Sequence, residues 1–446
     1  MSAINARAAG SAPAPRGADA PLRIALLTYK GNPYCGGEGV YVRYLSRELA
    51  RLGHSIEVIS GQPYPVLDEV KGIGFTPLPS LDPYRRPDRF FHAPRLREIR
   101  DWIDAIEVAG ICTGGNPAPL AFTLRARRHL AARAAASDTF DLVHDNGSVG
   151  YGLLGIDRRF APLVTTIHHP TTVDLRLALA VADGPLQRLA LRRSCGYHPM
   201  QRRVARRLSS VLTDSVASRR AIIDDMNVPT DRIHVVALGT DTRLFSPDGS
   251  VPEVPGRIVT TASADAPLKG LIFLIEALAK VRHEHEQAHL VVVGPQPVRG
   301  PVVDAIERHG LGRAVTFVKG ISDAELVDLI RGAEVACVPS LYEGFSLPTA
   351  EAMATCTPVV ATTGGAIPEV AGQDGETCLA VPPRDPGALA AALIRLLEDP
   401  ALRRRLGEAG RDRVLRRFTW EHVARNTVEH YRDVIAARDA ERLSAR

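Results

Sequence analysis

The stretch SLYEGFSLPTAEAMATCTPVV, residues 340–360, decides the fold of this 446-residue chain. It follows the apolar run EVACV and ends in the apolar run PVV, and both have the composition of buried strands. A helix between them is predicted to begin near Pro348, because the fixed φ of proline suits the start of a helix. A strand, a helix and a second strand in this order predict a βαβ unit and therefore a parallel sheet.

Two glutamates in this stretch lie where parallel sheets bind ligands. Glu343 follows the end of the first strand, and Glu351 falls in the predicted first turn of the helix. Loop amides and a helix N-terminus suit a phosphate, while carboxylates accept hydrogen bonds from hydroxyls. A sugar nucleotide carries both kinds of group. The alternative is that Glu343 is a solvated loop residue and that Glu351 only complements the helix dipole.

The alternation of strands and helices continues on both sides of this stretch. An opening βαβ unit runs from RIALLTY to SIEVISG, and further strands are predicted at 141–145, 162–169, 209–215 and 233–239. In the second half, Ser322 and Glu325 predict a capping box at a helix start. We expect an α/β protein with two Rossmann-like domains, whose parallel sheets face each other across a cleft and bind ligands at the carboxyl ends of their strands.

Changes in composition give the domain boundaries. A segment rich in Ala, Pro and Gly is typical of a disordered tail, and one rich in Pro, Gly and acidic residues is typical of a linker. The predicted order is a disordered tail at 1–21, an N-terminal domain at 22–245 with a helical insertion at about 62–137, a linker at 246–257, a C-terminal domain at 258–420, and a helix at 421–446 that packs back on the N-terminal domain.

Composition and charge argue against several classes of protein. The six cysteines are scattered without a C-x-x-C, which indicates reduced cytosolic thiols rather than disulfides or zinc. The chain has no apolar run of the ~18–20 residues that a membrane span requires, and its N-terminus has no signal-peptide core. A net charge of +5 is too small to indicate a nucleic-acid binder. We expect a cytoplasmic protein, with peripheral contact at the inner face of the membrane left open.

Three further motifs lie at predicted strand ends. Lys269, in ASADAPLKG, is placed to meet a diphosphate as a point charge, or else is a surface lysine. The glycines of GGEG at 36–39 allow close backbone approach to a ligand, or else form a turn. His168 and His169 end one strand and have either a site role or a structural one. The adjacent strand ends in side chains that could line an acceptor pocket: His144, Asp145 and Asn146.

The motif E-G-F-S-L-P-x-x-E-A-M-A-x-x-x-P-V-V-A, followed by TTGGAIPEV, resembles the E-x7-E signature of the family 4 retaining glycosyltransferases, which have the two-domain GT-B fold. The resemblance covers roughly 23–435 and is weakest at 62–137. It implies that the C-terminal domain binds the donor and the N-terminal domain the acceptor. It also implies that Glu343 binds hydroxyls of the donor hexose, that Glu351 binds the ribose, and that the intervening backbone holds sugar hydroxyls and phosphate, namely Gly344, Phe345, Ser346 and Leu347.

The resemblance also assigns roles to the other motifs. Gly36 and Gly37 match a glycine pair beside the donor phosphate, and His168 matches a histidine near the transferring sugar. Catalysis would rest on His168, Lys269 and Glu343. Ser263 stands where the family has an arginine six residues before the lysine, and it offers a hydroxyl but no charge.

The implied activity is transfer of a hexose, with retention, from a nucleotide-diphosphate sugar to a small-molecule or lipid acceptor. A UDP-sugar is the favoured donor and GDP-mannose the other. We expect no metal cofactor, because the chain has no D-x-D. Two alternatives remain: an epimerase of nucleotide sugars on the same fold, and a non-catalytic nucleotide-binding or membrane-docking module, which the serine at 263 would suit.

Arginine-rich stretches in the N-terminal half raise the membrane alternative. A basic face with interleaved aromatic residues can lie on an anionic membrane, but solvated helix faces explain the same pattern. The stretches contain Arg85, Arg86, Arg89, Arg95, Arg97 and Arg100 beside Tyr84, Phe90 and Phe91, and then Arg188, Arg192, Arg193, Arg202, Arg203, Arg206 and Arg207. No nucleic-acid partner is expected.

Overall fold

Two parallel sheets form the framework of the computed structural model, which describes residues 20–31, 37–82, 96–180, 182, 184–261 and 267–444. Within these residues, the first sheet has seven strands in the order β3-β2-β1-β4-β5-β6-β7 and the second has six in the order β10-β9-β8-β11-β12-β13. The strands are β1 Arg23–Thr28, β2 Ser55–Ser60, β3 Ile73–Pro77, β4 Leu142–Asn146, β5 Leu163–Thr166, β6 Val211–Thr213, β7 Ile233–Val235, β8 Val254–Thr260, β9 His289–Val293, β10 Val315–Val318, β11 Ala333–Val338, β12 Val359–Thr362 and β13 Leu379–Val381. The predicted fold class, two Rossmann-like units of the GT-B type, is confirmed.

Helices connect the strands and cover both sheets. They are α1 Gly37–Arg51, α2 Trp102–Cys112, α3 Ala118–Ala135, α4 Gly152–Arg159, α5 Thr172–Ala180, α6 Gly184–Ser194, α7 His198–Ala205, α8 Val216–Met226, α9 Leu271–Glu284, α10 Pro301–Arg308, α11 Asp323–Arg331, α12 Leu347–Ala354, α13 Ile367–Ala371, α14 Pro386–Glu398, α15 Pro400–Arg417 and α16 Trp420–Ser444. No helix in the described part of the chain is long and apolar enough to cross a membrane. We call the β1–β7 sheet with its helices the N-lobe and the β8–β13 sheet with its helices the C-lobe.

The central strands are buried because helices cover both of their faces. All five residues of β4 are buried, and β1 is buried from Ile24 onward. In the parallel register Leu26 pairs with both Val58 and His144, so the carboxyl ends of neighbouring strands lie at one edge of the sheet. Loops that follow these strands therefore meet at one end of each lobe.

Two elements differ from the prediction. The segment 62–137 was predicted as a helical insertion, but besides α2 and α3 it contains β3, an edge strand of the first sheet. The predicted linker 246–257 overlaps the start of β8 at Val254. Pro255 and Gly256 lie inside β8, and Gly256 has a φ of +74°. These two residue types are typical of linkers, which explains why the pattern concealed the strand.

Helix α16, which follows the last helix of the C-lobe, packs on the N-lobe. The hydroxyl of Tyr431 lies 2.5 Å from Nδ1 of His144, and Nε2 of His430 lies 2.6 Å from Oγ of Ser210. At the start of the helix, the ring of Trp420 stacks on Tyr44 with 5.4 Å between centroids. These contacts bind the end of the described chain to β4, β6 and α1.

Candidate active site

A cavity of about 600 Å³ lies between the lobes, at the carboxyl ends of both sheets. The N-lobe contributes the start of α1 and the loop after β5, and the C-lobe contributes the loop after β11 and the start of α12. The volume falls in the range of about 300–1,000 Å³ that is usual for small-molecule sites. Several predicted site residues line it together: Gly37, His168, His169, Lys269, Glu343, Gly344, Phe345, Ser346 and Leu347.

An ion pair between Lys269 and Glu343 lies on the C-lobe wall of this cavity. Nζ of Lys269 is 2.8 Å from one carboxylate oxygen of Glu343 and 3.0 Å from the other. The hydroxyl of Ser340 donates a third hydrogen bond to the same carboxylate at 2.7 Å. Because an ammonium has three N–H donors and Glu343 takes two, one donor of Lys269 remains for another acceptor.

The pair is held by two loops that pack on each other. Lys269 ends the short 3₁₀ turn Pro267–Lys269, where the carbonyl of Leu268 accepts a 2.7 Å hydrogen bond from the amide of Leu341. Gly270 follows with a φ of +66°, and a Cβ there would lie 2.1 Å from the carbonyl oxygen of Pro339. The close backbone approach therefore requires glycine at this position.

The loop between Glu343 and α12 presents backbone donors. Within the described part of the chain, the amides of residues 344–347 donate no hydrogen bond. The first amides of a helix carry partial positive charge and suit an anion. Ser346 has a φ of +128°, and its hydroxyl lies 2.8 Å from that of Thr349. The ring of Phe345 is buried against Phe418 and anchors the loop to the C-lobe.

Glu351 does not line the interlobe cavity, unlike Glu343 and the loop residues that follow it. Helix α12 begins at Leu347, so Glu351 is its fifth residue, and the prediction that it lies in the first turn is wrong. Burial, followed by the charge of Asp323, raises the pKa of Glu351 to about 7. Its carboxylate has no hydrogen bond or ion pair with another described residue. That it binds a ribose stays a prediction.

His168 forms the N-lobe wall opposite the ion pair. Its Nδ1 lies 2.7 Å from a carboxylate oxygen of Asp214, and its Nε2 lies 2.9 Å from Oδ1 of Asn146. Burial lowers the pKa of His168, but Asp214 more than reverses this and leaves the pKa above its ordinary value. The ring also meets Tyr41 edge-on at 4.9 Å. Two acceptors, one at each ring nitrogen, stabilise the protonated imidazole.

His169 and the start of α8 bring the N-lobe against the loop after β11. Nε2 of His169 bonds Asp174 at 3.0 Å, and a Cβ on Gly344 would come within 3.1 Å of His169. The carbonyl oxygen of Gly344 accepts hydrogen bonds from the hydroxyls of Ser215 at 2.6 Å and Ser218 at 3.1 Å. The lobes therefore touch directly beside the cavity.

Three residues of the proposed acceptor group, His144, Asp145 and Asn146, do not line the cavity. His144 and Asp145 have no exposed surface, and the prediction that they line an acceptor pocket is wrong. Both ring nitrogens of His144 are bonded, to Tyr431 and Thr166, and burial lowers its pKa to about 3. Asp145 accepts from Ser148, and burial raises its pKa to about 7. His144 is buried against Tyr431 of α16, whereas Asp145 is bonded to Ser148 and Val149 in the loop after β4.

Asn146 is also fully buried, and its side chain connects two cavity residues. Its Oδ1 faces Nε2 of His168, and its amide nitrogen donates to the carbonyl of Glu38 at 3.2 Å. Asn146 therefore positions the wall instead of contacting a ligand. Gly37 begins α1, and a Cβ there would lie 4.0 Å from Leu347 across the cleft. Gly36 and Ser263 lie outside the described residues.

Three charged residues of the site were not predicted from the sequence. Lys30 and Glu38 line the cavity and form an ion pair at 3.3 Å, and Asp214 is the partner of His168. Each lies at a position that the strand-end rule covers: Lys30 follows β1, Glu38 stands in the first turn of the next helix, and Asp214 follows β6. Applying that rule to every predicted strand would have found them.

The arginine-rich stretches lie only partly in the described structure. The first falls mostly at 83–95, outside the described residues. In the second, α6 has no buried residue, and it exposes Leu186 and Leu189 beside Arg188, Arg192 and Arg193. That surface is compatible with both a solvated helix and contact with an anionic membrane, so membrane docking stays a prediction.

Comparison with known proteins gives matches over nearly the whole chain. The family described as "Glycosyltransferase Family 4" matches residues 35–244, and "Glycosyl transferases group 1" matches residues 249–413. The chain is 48% identical over 415 residues to an MMP alpha-(1->4)-mannosyltransferase of Mycolicibacterium hassiacum, with 93% of this chain and 99% of the relative covered. It is 29% identical over 459 residues to a D-inositol 3-phosphate glycosyltransferase of Kineococcus radiotolerans, with 94% and 97% covered. The structure of a sucrose-phosphate synthase from Thermosynechococcus elongatus has a TM-score of 0.69 and 25% identity, with 93% of this chain and 100% of that chain covered.

Proposed function

The chain belongs to the family 4 glycosyltransferases, and from that membership we propose that it transfers a mannosyl residue, with retention, from a nucleotide-diphosphate mannose to a mannose-containing glycan. The 48% identity to an MMP alpha-(1->4)-mannosyltransferase supports mannose as the sugar and an α-(1→4) bond as the product. A mannose donor replaces the UDP-sugar that the sequence analysis favoured, and GDP-mannose is the donor to test first.

The observation that carries the proposal is the Lys269–Glu343 pair in the interlobe cavity. The remaining N–H donor of Lys269 and the unbonded amides of residues 344–347 would meet the diphosphate. The carboxylate of Glu343 has further lone pairs, which would accept hydrogen bonds from hydroxyls of the hexose. Preorganised donors of this kind stabilise the charge that develops on a leaving diphosphate.

In the proposed reaction, a hydroxyl of the acceptor attacks the anomeric carbon on the face from which the diphosphate departs. The bond from this carbon to the phosphate oxygen breaks as the bond to the acceptor oxygen forms, and the departing phosphate oxygen takes the hydroxyl proton. Both bonds lie on one face, so the anomeric configuration is retained. The protein contributes by orienting the two substrates and by stabilising charge.

His168 would lie beside the transferring sugar on the N-lobe side. Asp214 and Asn146 fix the orientation of its ring, and the raised pKa keeps the imidazole protonated to higher pH. A fixed cation opposite Lys269 would add to the positive potential around the donor phosphates. Lys30 and Glu38, which line the same wall, would meet the acceptor.

The experiment offers the purified chain GDP-mannose, UDP-glucose and ADP-glucose together with short α-mannosides. We expect GDP-mannose to be consumed, with one GDP released for each mannose added, and an α-linked product by NMR. An isomerised nucleotide sugar without a new glycan would establish the epimerase alternative. Donor binding without turnover would establish the non-catalytic alternative. Turnover of a glucose donor alone would refute mannosyl transfer while leaving glycosyl transfer intact.

A further inference from the structure

A row of four buried side chains joins the last helix of the described structure to the neighbourhood of His168. The hydroxyl of Tyr431 in α16 lies 2.5 Å from Nδ1 of His144, and Nε2 of the same ring lies 2.7 Å from Oγ1 of Thr166. The hydroxyl of Tyr41 in α1 lies 3.2 Å from that oxygen. We call these four residues, Tyr431, His144, Thr166 and Tyr41, the Tyr431–Tyr41 network.

The network lies on the face of the N-lobe sheet that also carries a partner of His168. His144 and Asn146 are two residues apart on β4 and therefore point to the same face. His144 bonds Thr166 of β5, and Asn146 bonds His168 two residues further along. These two bonds are successive connections between the same pair of neighbouring segments, so a displacement of the first acts on the second.

Tyr41 connects the network to the ring of His168. Its ring meets the imidazole at 4.9 Å between centroids, and it also contacts Trp420 at the start of α16, at 6.0 Å. Burial raises the pKa of Tyr41, so the hydroxyl keeps its proton and remains a hydrogen-bonding group. The bond to Thr166 therefore fixes the direction of the ring that packs against His168.

His144 transmits the position of Tyr431 to Thr166. Burial lowers the pKa of His144 to about 3, so the ring is neutral, and a neutral imidazole donates from one nitrogen and accepts at the other. Both nitrogens are bonded, which fixes the plane of the ring. Loss of the Tyr431 hydroxyl would leave Nδ1 unpaired in the core, and an unpaired buried polar group is costly enough for the ring to turn towards a new partner. Such a turn would break the bond to Thr166.

A purely structural role for Tyr431 would be to anchor α16, and the neighbouring residue provides the comparison. His430 bonds Ser210 at 2.6 Å, and both side chains are buried. Ser210 precedes β6, at the amino end of the sheet, whereas His168 follows the carboxyl end of β5. The two bonds anchor the same helix, but among the described contacts it is the bond of Tyr431 that leads to His168.

We propose that Tyr431 is a positioning residue for His168, and that the last helix of the described structure thereby completes the active site of the N-lobe. The inference rests on the proposed mannosyl transfer, in which His168 lies beside the transferring sugar, and it adds a residue outside the cavity to the determinants of the rate. The proposed donor contacts of Lys269 and Glu343 lie on the C-lobe. Loss of the Tyr431 hydroxyl should therefore slow the reaction without weakening donor binding.

The test compares Tyr431→Phe with Ser210→Ala, with GDP-mannose as donor and a methyl α-mannoside as acceptor. Tyr431→Phe should lower kcat by about tenfold, as expected for a displaced group at the site, and leave the KM for GDP-mannose unchanged. NMR resonances of the His168 ring should shift in this variant. Ser210→Ala leaves a nitrogen of His430 unpaired in the same way, and it should keep both the wild-type kcat and the wild-type resonances. Urea unfolding verifies that both variants fold.

A third variant, Tyr41→Phe, keeps the aromatic ring against His168 and removes the hydroxyl at the other end of the network. It should lower kcat by a similar factor. Groups that act through one another have non-additive effects, so Tyr41→Phe combined with Tyr431→Phe should lose about tenfold in kcat and not about a hundredfold. If Tyr431→Phe does not fold, Tyr41→Phe breaks the network by itself, and wild-type kcat in it would overturn the proposal.

The remaining outcomes also decide the question. Wild-type kcat or unshifted His168 resonances in Tyr431→Phe would overturn the proposal. An equal loss of kcat in Ser210→Ala would show that Tyr431 only anchors α16, and multiplied losses in the double variant would show two independent effects. If the wild-type chain transfers no mannose from GDP-mannose, the proposed function fails, and the resonances of His168 alone decide whether Tyr431 positions it.

Discussion

Lys269 is the residue whose removal should slow the reaction most. Its ammonium lies against Glu343, and it is the only cation that the described C-lobe residues place in the cavity wall. With Ser263 in place of the family arginine, a larger share of the charge stabilisation falls on Lys269. Lys269→Ala should lower kcat by about 10²–10³-fold, the usual effect of losing one such donor. Steady-state kinetics with GDP-mannose checks this.

A second lysine provides the control for charge. Lys280 is exposed on helix α9, which begins two residues after Lys269, and Lys280→Ala makes the same substitution away from the cavity. It should leave kcat and KM at wild-type values. If the two alanine variants are equally active, Lys269 does not contact the diphosphate.

The pKa of His168 should depend on Asp214. Burial lowers the pKa of His168, but Asp214 raises it by more. The imidazole therefore stays protonated above the ordinary pKa of about 6.5. The stabilisation from this pair is complete below the unfolded pKa and is lost as pH rises through the folded pKa. Asp214→Asn should lower the pKa of His168 and weaken that pH dependence. An NMR titration of the His168 ring measures the shift.

The variant Asp174→Asn is the control for this titration. Asp174 accepts from the adjacent His169, so Asp174→Asn removes a neighbouring histidine–carboxylate bond but leaves the His168–Asp214 bond. The pKa of His168 should then stay at its wild-type value. An unchanged pKa in Asp214→Asn would mean that the carboxylate does not control the protonation of His168.

Individual site residues were predictable where they directly follow a recognisable strand. His168, Lys269 and Glu343 follow recognisable strands and line one cavity. His144 also ends a strand, but it is buried against Tyr431 of α16, which lies nearly 290 residues later in the chain. The sequence near β4 does not indicate that a helix from the end of the chain packs on this strand.

At the scale of elements, the loop after β12 supports the loop that carries Glu343. The amide of Ala366 donates to the carbonyl of Glu343 at 2.9 Å, and Gly365 has a φ of +60°. A Cβ on Gly365 would lie 2.5 Å from that carbonyl oxygen. Gly365→Ala should therefore displace Glu343, lower kcat/KM by about tenfold or more and destabilise the fold by about 1–3 kcal/mol. Kinetics and urea unfolding measure the two effects.

The variant Gly375→Ala is the control that distinguishes backbone strain from displacement of Glu343. The φ of Gly375, +72°, resembles that of Gly365, but a Cβ there meets no atom within 4 Å. Gly375→Ala should destabilise the fold by about 1–2 kcal/mol, the cost of the left-handed backbone, with kcat/KM unchanged. Equal activity losses in both variants would show that backbone strain, and not the contact with Glu343, lowers the rate.

Regular elements were the most predictable part of the fold. The capping box of Ser322 and Glu325 is confirmed at the start of α11, because both partners are local. Strand β3 was missed because Gly74 and Pro77 weaken its pattern and because none of its residues is buried at the sheet edge. The first turn of α12 was misplaced because the unusual backbone of Ser346 sets where the helix begins.

For the whole molecule, the sequence predicted two lobes and a cleft but not how the lobes touch. That contact depends on pairs far apart in the chain, such as Ser215 with Gly344. A second such contact joins Glu369 of α13 to the amides of Val216 and Ala217 at the start of α8, each at 2.8 Å. The carboxylate thus caps a helix of the other lobe and complements its dipole.

Glu369 should therefore stabilise the arrangement in which both lobes line the cavity. Glu369→Ala removes the cap and leaves the two amides to solvent, which should open the lobes, raise the radius of gyration measured by X-ray scattering and lower kcat/KM by about tenfold. Glu376→Ala, at an exposed position in the same lobe, is the control and should change neither quantity. Glu369→Gln keeps one acceptor oxygen and should fall between them. If Glu369→Ala scatters and reacts like the wild type, the contact between Glu369 and α8 does not hold the lobes together, and closure depends on the contacts of Gly344 instead.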